Sequence, residues 1–593
     1  MVLERLIRAF RRPAPETPVV PPAIASGPRP RIMGLAMVKN EQDIIEPFLR
    51  HNAPLLDALV LLDNASLDET RSIALACARE LGNVILGDSE AFDYRQAERM
   101  TRLLHFAQGA FFADYILLLD ADEFLSCPDR AALEAALAGI PPGGVGYLPW
   151  RSFVIRPGEE AAVAADPPRG FTHRRTAEVP QFFKVVLRLD GRLPHGLRLA
   201  QGNHDALLGD TPLPGHQIME WPLLHFPVRS GAQIAAKGVV GWAAYLARNP
   251  AARQEDLGFQ WREVFDRVAA RGQAGLAEEL AETSMRYAQT RAAIDWTADA
   301  VPEAAPAGYR RRHSTGAFAD PLALLARSWE RSLTGGAPPV RLERPEGLSA
   351  TEGVTTTAFD AAWHWDHLFM DVAPFRYIAE KYQPSAVLDI GCGIGQYLAL
   401  FRRFGTAEVY GIDGVPPEAV RGVLAPADYA ALDLAVPLDL GRRFDLVVCV
   451  EVAEHMAAPD ALVLLDSIER HATGRIVFSA AEPGQPGHGH INCQPLRYWL
   501  EHWAARGWVP HLVDSLGMRA MATLSWFRRN LVVLVPGTRE AGAEAIQALT
   551  AIAERPYGWY GQAPGIRDFP LGEEPPGSDE ACYTVLPVPE DAG

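Results

Sequence analysis

A chain of 593 residues, 48% of them hydrophobic, exceeds the size at which one core usually keeps growing, so roughly two to four structural units are expected. Its formal net charge of −17 speaks against general binding to nucleic acid. The six cysteines, at 77, 127, 392, 449, 493 and 582, form no CxxC pair, which argues against a disulfide framework or a cysteine zinc site and fits a reduced cytoplasm.

Residues 1–12 (MVLERLIRAFRR) suit a short basic amphipathic helix, followed by a proline-rich run to Pro30. They lack the long apolar core of a signal peptide or membrane span, which leaves two readings. One is a frayed tail on a cytoplasmic protein; the other is weak peripheral attachment to the inner face of the membrane. From Arg31 the spacing predicts a strand ending near Lys39, then a turn and a helix. Leu59 to Leu62 reads as a second strand, Thr70 to Leu81 as a helix, and Val84 to Leu86 as a third strand. A helix over Arg95 to Ala107 leads to a fourth strand, Tyr115 to Leu119, ending in Asp120, Asp122 and Glu123. Such alternation predicts a mostly parallel sheet with helices on both faces and ligands beyond the carboxyl ends of its strands.

Asp120 and Asp122 stand two apart at the end of an apolar strand, where burying them unpaired would be costly. Either they face solvent, or a hard divalent cation, Mn²⁺ or Mg²⁺, bridges them to a diphosphate. VKNEQDIIEPFLRHN, LLDNASLDET and YILLLDADEFL together resemble the family 2-like glycosyltransferases with a GT-A fold, over about residues 31–230. That resemblance implies a nucleotide-sugar donor, with Asp120 and Asp122 as the metal and diphosphate pair. It likewise implies donor-side roles for Asn40, Glu41, Asp63 and Arg99. His204 is a candidate third metal ligand, with a loop hydrogen bond as the alternative reading. The catalytic base lacks a clear motif: Asp205, Glu178 and Glu220 are candidates.

Residues 231–300 read as a helical extension broken at Asn249–Pro250, in which Trp242 and Trp261 are either core or the lining of an acceptor cleft. Residues 301–360, rich in Pro, Gly, Arg and Thr, read as a linker with a short helix from Pro321 to Ser332. A second unit is expected over 361–536, opened by a cap or lid helix within Trp363 to Ile378. Its centre is AVLDIGCGIG at 386–395: an apolar strand into Asp389, then glycines 391, 393 and 395 before a helix start. Those glycines permit close backbone approach to a ligand at the helix N-terminus. Glu408 to Ile412 reads as the next strand with Asp413 at its end, at the spacing where a nucleotide fold places an acid for ribose hydroxyls. FDLVVCV, from Phe444 to Val450, supplies another strand, and Arg475 to Ser479 and Leu531 to Val535 two more.

LDIGCGIG, GID at 411–413 and FDLVVCVEVAEH at 444–455 together resemble class I S-adenosylmethionine-dependent methyltransferases. The resemblance implies that Asp389 and the glycine turn hold the cofactor's amino-acid end, Asp413 its ribose and Asp433 its adenine. Glu451 and His455 then line the cofactor and substrate side. If oxygen is methylated, His455 and the GHGHIN segment, with His488, His490 and Asn492, are candidate bases, while each is also able to cap a loop. Residues 537–593 read as a helix from Glu540 to Arg555 and a solvated tail. The expected fold class is α/β, two separate open and mostly parallel sheet domains, the first GT-A-like and the second Rossmann-like. The expected protein is a bifunctional glycosyltransferase and methyltransferase acting on a glycan, a lipid-linked sugar or a small-molecule acceptor. The alternative is a methyltransferase beside a non-catalytic sugar-nucleotide or carbohydrate-binding module.

Overall fold

The structure is a computed structural model that describes residues 29–88, 95–111, 113–189, 196–248, 259–289, 293–306, 309–315, 318–334, 340–345, 361–366, 368–522, 524–553 and 583–586. The basic helix of residues 1–12, the break at Asn249–Pro250 and the tail beyond Ala553, Tyr583–Leu586 apart, lie outside the described residues. The chain divides into two compact units, one ending at Gly335 and one beginning at Gly336.

In the first unit, strands Val84–Asp88, Ala58–Asp63, Ile32–Val38 and Tyr115–Leu119 lie side by side and parallel in that order. Parallel neighbours need a crossover, and helices Ile45–Asn52, Thr70–Leu81 and Gln96–Phe111 supply it. Beyond Tyr115–Leu119 the pairing changes. Phe183–Arg188, Val145–Val154, His173–Arg175 and Ala300–Pro302 each run antiparallel to the strand before them. The sheet is therefore mixed, a correction to the mostly parallel one expected, although the short strands Gly215–Gln217 and Leu223–His225 also pair in parallel with Val145–Val154. Ile32, Phe48, Leu59, Leu117, Phe124 and Phe226 belong to one buried core. Trp242, 1% exposed, is core rather than cleft lining. Helix Pro321–Thr334 packs Leu324 against Ala236 and Val240 of helix Gly231–Arg248.

The second unit is a seven-stranded sheet in the order Tyr429–Ala431, Glu408–Asp413, Ala386–Ile390, Phe444–Val450, Ala472–Ser479, Val532–Pro536, Trp508–Pro510. The first five are parallel and Val532–Pro536 is antiparallel to both neighbours. Strand order reverses between Ala386–Ile390 and Phe444–Val450, the switch point at which such sheets open a crevice. The stretch read as one lid helix is two helices, Ala361–Asp366 and Val372–Tyr382. The second is no lid: Phe375 and Ile378 are 0% exposed, and the Phe375 ring meets Tyr397 at 4.0 Å. One turn further, Lys381 Nζ lies 2.7 Å from Asp514 with both side chains fully buried, and Tyr377 donates its hydroxyl to the same carboxylate at 2.6 Å.

No helix among the described residues is long and apolar enough to cross a membrane.

Candidate functional site

At the switch point of the second unit, strand Ala386–Ile390 turns sharply through Gly391. Gly391 has φ 82°, and a Cβ there would lie 2.3 Å from Val452 Cγ2, so the turn has no room for a side chain. Its N–H donates to the Ile412 carbonyl at 2.7 Å, tying the turn to the neighbouring strand. Gly393 donates its N–H to Asp413 Oδ2 at 2.8 Å, and Val415 N–H reaches Oδ1 of the same carboxylate at 3.2 Å. Gly395 stands behind the turn as N-cap of helix Gln396–Arg403. Asp389 is 1% exposed, and its Oδ1 meets no hydrogen-bond partner. Burial, and then the nearby Asp413, push its carboxyl well above the usual range.

Asp389, Gly391, Gly393 and Asp413 line a cleft of about 810 Å³, within the size range of small-molecule and cofactor sites. Asp433 lines it too, its carboxylate accepting from Ala435 N–H at 2.9 Å. Glu451, at the end of strand Phe444–Val450, has φ 56°, a strained conformation for a residue with a side chain. Its carboxylate accepts from Ser479 Oγ and Gln485 Nε2, each at 2.7 Å, and from Asn530 Nδ2 at 3.0 Å. His455 bonds through Nδ1 to the Gly489 carbonyl at 3.2 Å, and His490 through Nδ1 to that of Gln485 at 3.3 Å. Their rings stand 4.9 Å apart. Burial lowers His455 to about 4 and lowers His490 as well, so both imidazoles are neutral near pH 7. His488 is exposed at the cleft, whereas Asn492 is buried and donates to the Ala453 carbonyl at 3.2 Å. Ser479, Gln485 and Asn530 are missing from the sequence reading: nothing periodic links them to Glu451, and only the sheet order brings them together.

In the first unit, the acids after strand Tyr115–Leu119 are paired with basic side chains of the protein. Lys184 Nζ is 2.5 Å from Asp120 and 3.4 Å from Glu123. Lys237 Nζ is 3.0 Å from Asp122, with Arg229 at 3.9 Å. Arg229, 0% exposed, also binds Asp43 at 2.7 Å and the Glu41 carboxylate. Burial raises Asp122, but Lys237 foremost outweighs it and holds the group well below the usual range. Burial pushes Glu41 up to about 7 and Glu123 to about 8, against the pull of Arg229 and Lys184 respectively. Trp150 donates its indole N–H to Glu123 at 2.6 Å and stacks on His225 at 4.0 Å.

Asp120, Asp122 and His204 do not converge as a three-ligand group. His204 turns its Nδ1 to the Phe183 carbonyl at 2.7 Å and lies against Trp150 and Phe182, where burial lowers it to about 3; the loop hydrogen bond is the reading this geometry favours. Asp205 accepts from Tyr147 Oη at 2.7 Å. Glu178 is committed to Arg175 at 2.8 Å, and Glu220 is exposed. Asn40, at φ 54°, accepts from Leu67 N–H at 2.9 Å, and Asp63 accepts from Ser66 N–H at 3.2 Å. Arg99 is buried on helix Gln96–Phe111.

Residues 362–519 match the family described as a methyltransferase domain. A curated relative, the probable chloroplastic tocopherol O-methyltransferase of Oryza sativa subsp. japonica, is 30% identical over 172 residues, covering 25% of this chain. The chain spans 46% of that relative's length. Among solved structures, a sugar N-methyltransferase from a Streptoalloteichus species is 18% identical, with TM-score 0.25 over 32% of this chain and 98% of its own. The magnesium protoporphyrin IX methyltransferase of Synechocystis is 20% identical, with TM-score 0.21 over 30% of this chain and 80% of its own. Residues 362–519 are thus similar to a methyltransferase domain.

Proposed function

We propose that the second unit transfers the methyl group of S-adenosylmethionine to a glycan, lipid-linked sugar or small-molecule acceptor. The observation that carries this reading is the cradle at the switch point. There a side-chain-free turn is pinned by Asp413, and Asp389 presents a buried oxygen with no partner in the protein. That orphaned acceptor fits a cationic amino group, so Asp389 with Gly391 and Gly393 would hold the cofactor's amino-acid end. Asp413 would hold its ribose and Asp433 its adenine. The cofactor supplies an electrophilic methyl on a sulfonium; the protein's part is alignment and exclusion of water. His455 and His490, neutral and at the cleft, offer lone pairs to a proton or a cation. The test is transfer of labelled methyl to a panel of hydroxylated and aminated sugars, blocked by S-adenosylhomocysteine. Label retained on the cofactor across sugars and small aromatic acceptors alike would sink the reading.

A glycosyltransferase activity in the first unit is the finer proposal, supported by one feature of its acidic cluster. Five carboxylates (Glu41, Asp43, Asp120, Asp122, Glu123) meet three cations (Lys184, Arg229, Lys237) at the carboxyl end of the parallel strands. The excess of acid is neutralised by protons on Glu41 and Glu123, whose carboxyls are raised, or by Mn²⁺ or Mg²⁺ arriving with a nucleotide-sugar diphosphate. The full chain with Mn²⁺ is expected to release nucleotide from one member of a nucleotide-sugar panel, at a rate at least about a hundredfold lower in Asp122→Asn. Release unchanged in that variant would refute the role of Asp122. Donor binding without release would favour the non-catalytic carbohydrate-binding module.

A further inference from the structure

EVAEH places two acids three apart, and the structure treats them differently. Glu451 accepts from Ser479, Gln485 and Asn530. Glu454 is 0% exposed, and its carboxyl sits against that of Glu451 and the backbone N–H of Ala481. A buried carboxyl beside a second acid is costly, and the ordinary remedies are a proton or a cation. Two imidazoles stand beside it: Glu454, His455 and His490 each present a ligand atom, and all three lie within 4.8 Å of one another.

From this geometry we infer that Glu454, His455 and His490 form a binding site for one divalent first-row transition-metal ion. Metal–ligand bonds of about 2.1 Å bring cis ligand atoms to about 3 Å, so closing the site asks only for side-chain adjustment. The outer contacts suit the role. Each imidazole uses Nδ1 on a backbone carbonyl, Gly489 for His455 and Gln485 for His490, which sets the lone pair on Nε2 and orients the ring. A Cβ at Gly487 would lie 2.1 Å from His490 Nε2, so this glycine is what leaves that ring edge its room. Two nitrogens and one carboxylate select Mn²⁺, Fe²⁺, Co²⁺ or Zn²⁺ over Mg²⁺ or Ca²⁺. Glu454 closes the site from the interior while His455 and His490 line the cleft, so the remaining positions of the ion face the cleft, where water or an acceptor oxygen completes its shell. The inference makes the two imidazoles ligands rather than proton acceptors.

The experiment is a Co²⁺ titration of the chelator-stripped full chain, followed by visible absorption. One Co²⁺ per chain is expected, with ligand-field bands, and binding at least about tenfold weaker in His490→Ala and in Glu454→Gln. Asp122→Asn retains the bands, which separates this ion from any held by the acids of the first unit. His490 is partly exposed at the rim, so its variant decides the matter if Glu454→Gln fails to fold. Absence of Co²⁺ binding overturns the inference, as does unchanged binding when His455→Ala and His490→Ala are combined. No S-adenosylmethionine is present in the titration, so this site and the cofactor reading fail separately.

Discussion

Asp413→Ala is expected to weaken binding of S-adenosylhomocysteine to the full chain about a hundredfold, read by calorimetry. Two losses combine. The carboxylate holds the glycine turn through Gly393 N–H at 2.8 Å and Val415 N–H at 3.2 Å, and hydrogen bonds to a charged group contribute about 1.5–3 kcal/mol each. The same side chain lines the cleft where ribose hydroxyls would be received. Asp413→Asn, which keeps an acceptor and loses the charge, is expected nearer tenfold. Affinity unchanged in the alanine variant would remove Asp413 from the site.

The largest stability effect is expected at Asp514→Ala, with a loss of about 3–5 kcal/mol, because it strands the fully buried Lys381 ammonium. The hydroxyls of Tyr377 and Tyr382 lose their acceptor at the same time. Burial raises Asp514, but His511 and Lys381 together hold its carboxyl well below the usual range. A folded-state value below the unfolded one contributes stability that is present above the unfolded value, about 4, and is lost as pH falls through the folded value. Melting of wild type and variant should therefore differ most near neutral pH and converge in acid. Replacing Lys381→Met together with Asp514→Leu should recover much of the loss, since apolar substitutes of similar size are often tolerated at buried ion pairs. A gap that persists undiminished at pH 2 would show that packing, not the ion pair, sets the cost.

Much of the local structure was legible because it rests on short-range signals. Phe444–Val450 and Thr70–Leu81 have the bounds that their apolar run and alanine-rich periodicity predict. The glycine turn follows from glycine chemistry alone, since at Gly391 a Cβ meets Val452. Long-range pairing was not legible. Lys237 finds Asp122 across 115 positions, and no pattern in either segment announces it. Seen as a DxD, that pair left a solvent-facing role and a metal both open; seen with Lys184, Arg229 and Lys237, it is largely paired. The mixed pairing of the first sheet was equally hidden, because an alternation of strands and helices specifies crossovers but not the antiparallel strands added later. Val372–Tyr382 looked like a lid because its aromatic residues were visible and Tyr397 and Phe527, against which Phe375 packs, were distant in sequence. EVAEH drew notice to Glu451 and His455, whereas the buried acid grouped with the two imidazoles is Glu454.

The central claim is that the switch-point cleft of the second unit holds S-adenosylmethionine, and a calorimetric titration of the wild-type full chain with S-adenosylhomocysteine tests it most directly. The account predicts saturable binding of one molecule per chain; a folded, monodisperse chain that produces no binding heat at several temperatures, and no shift in melting with the ligand, would contradict it.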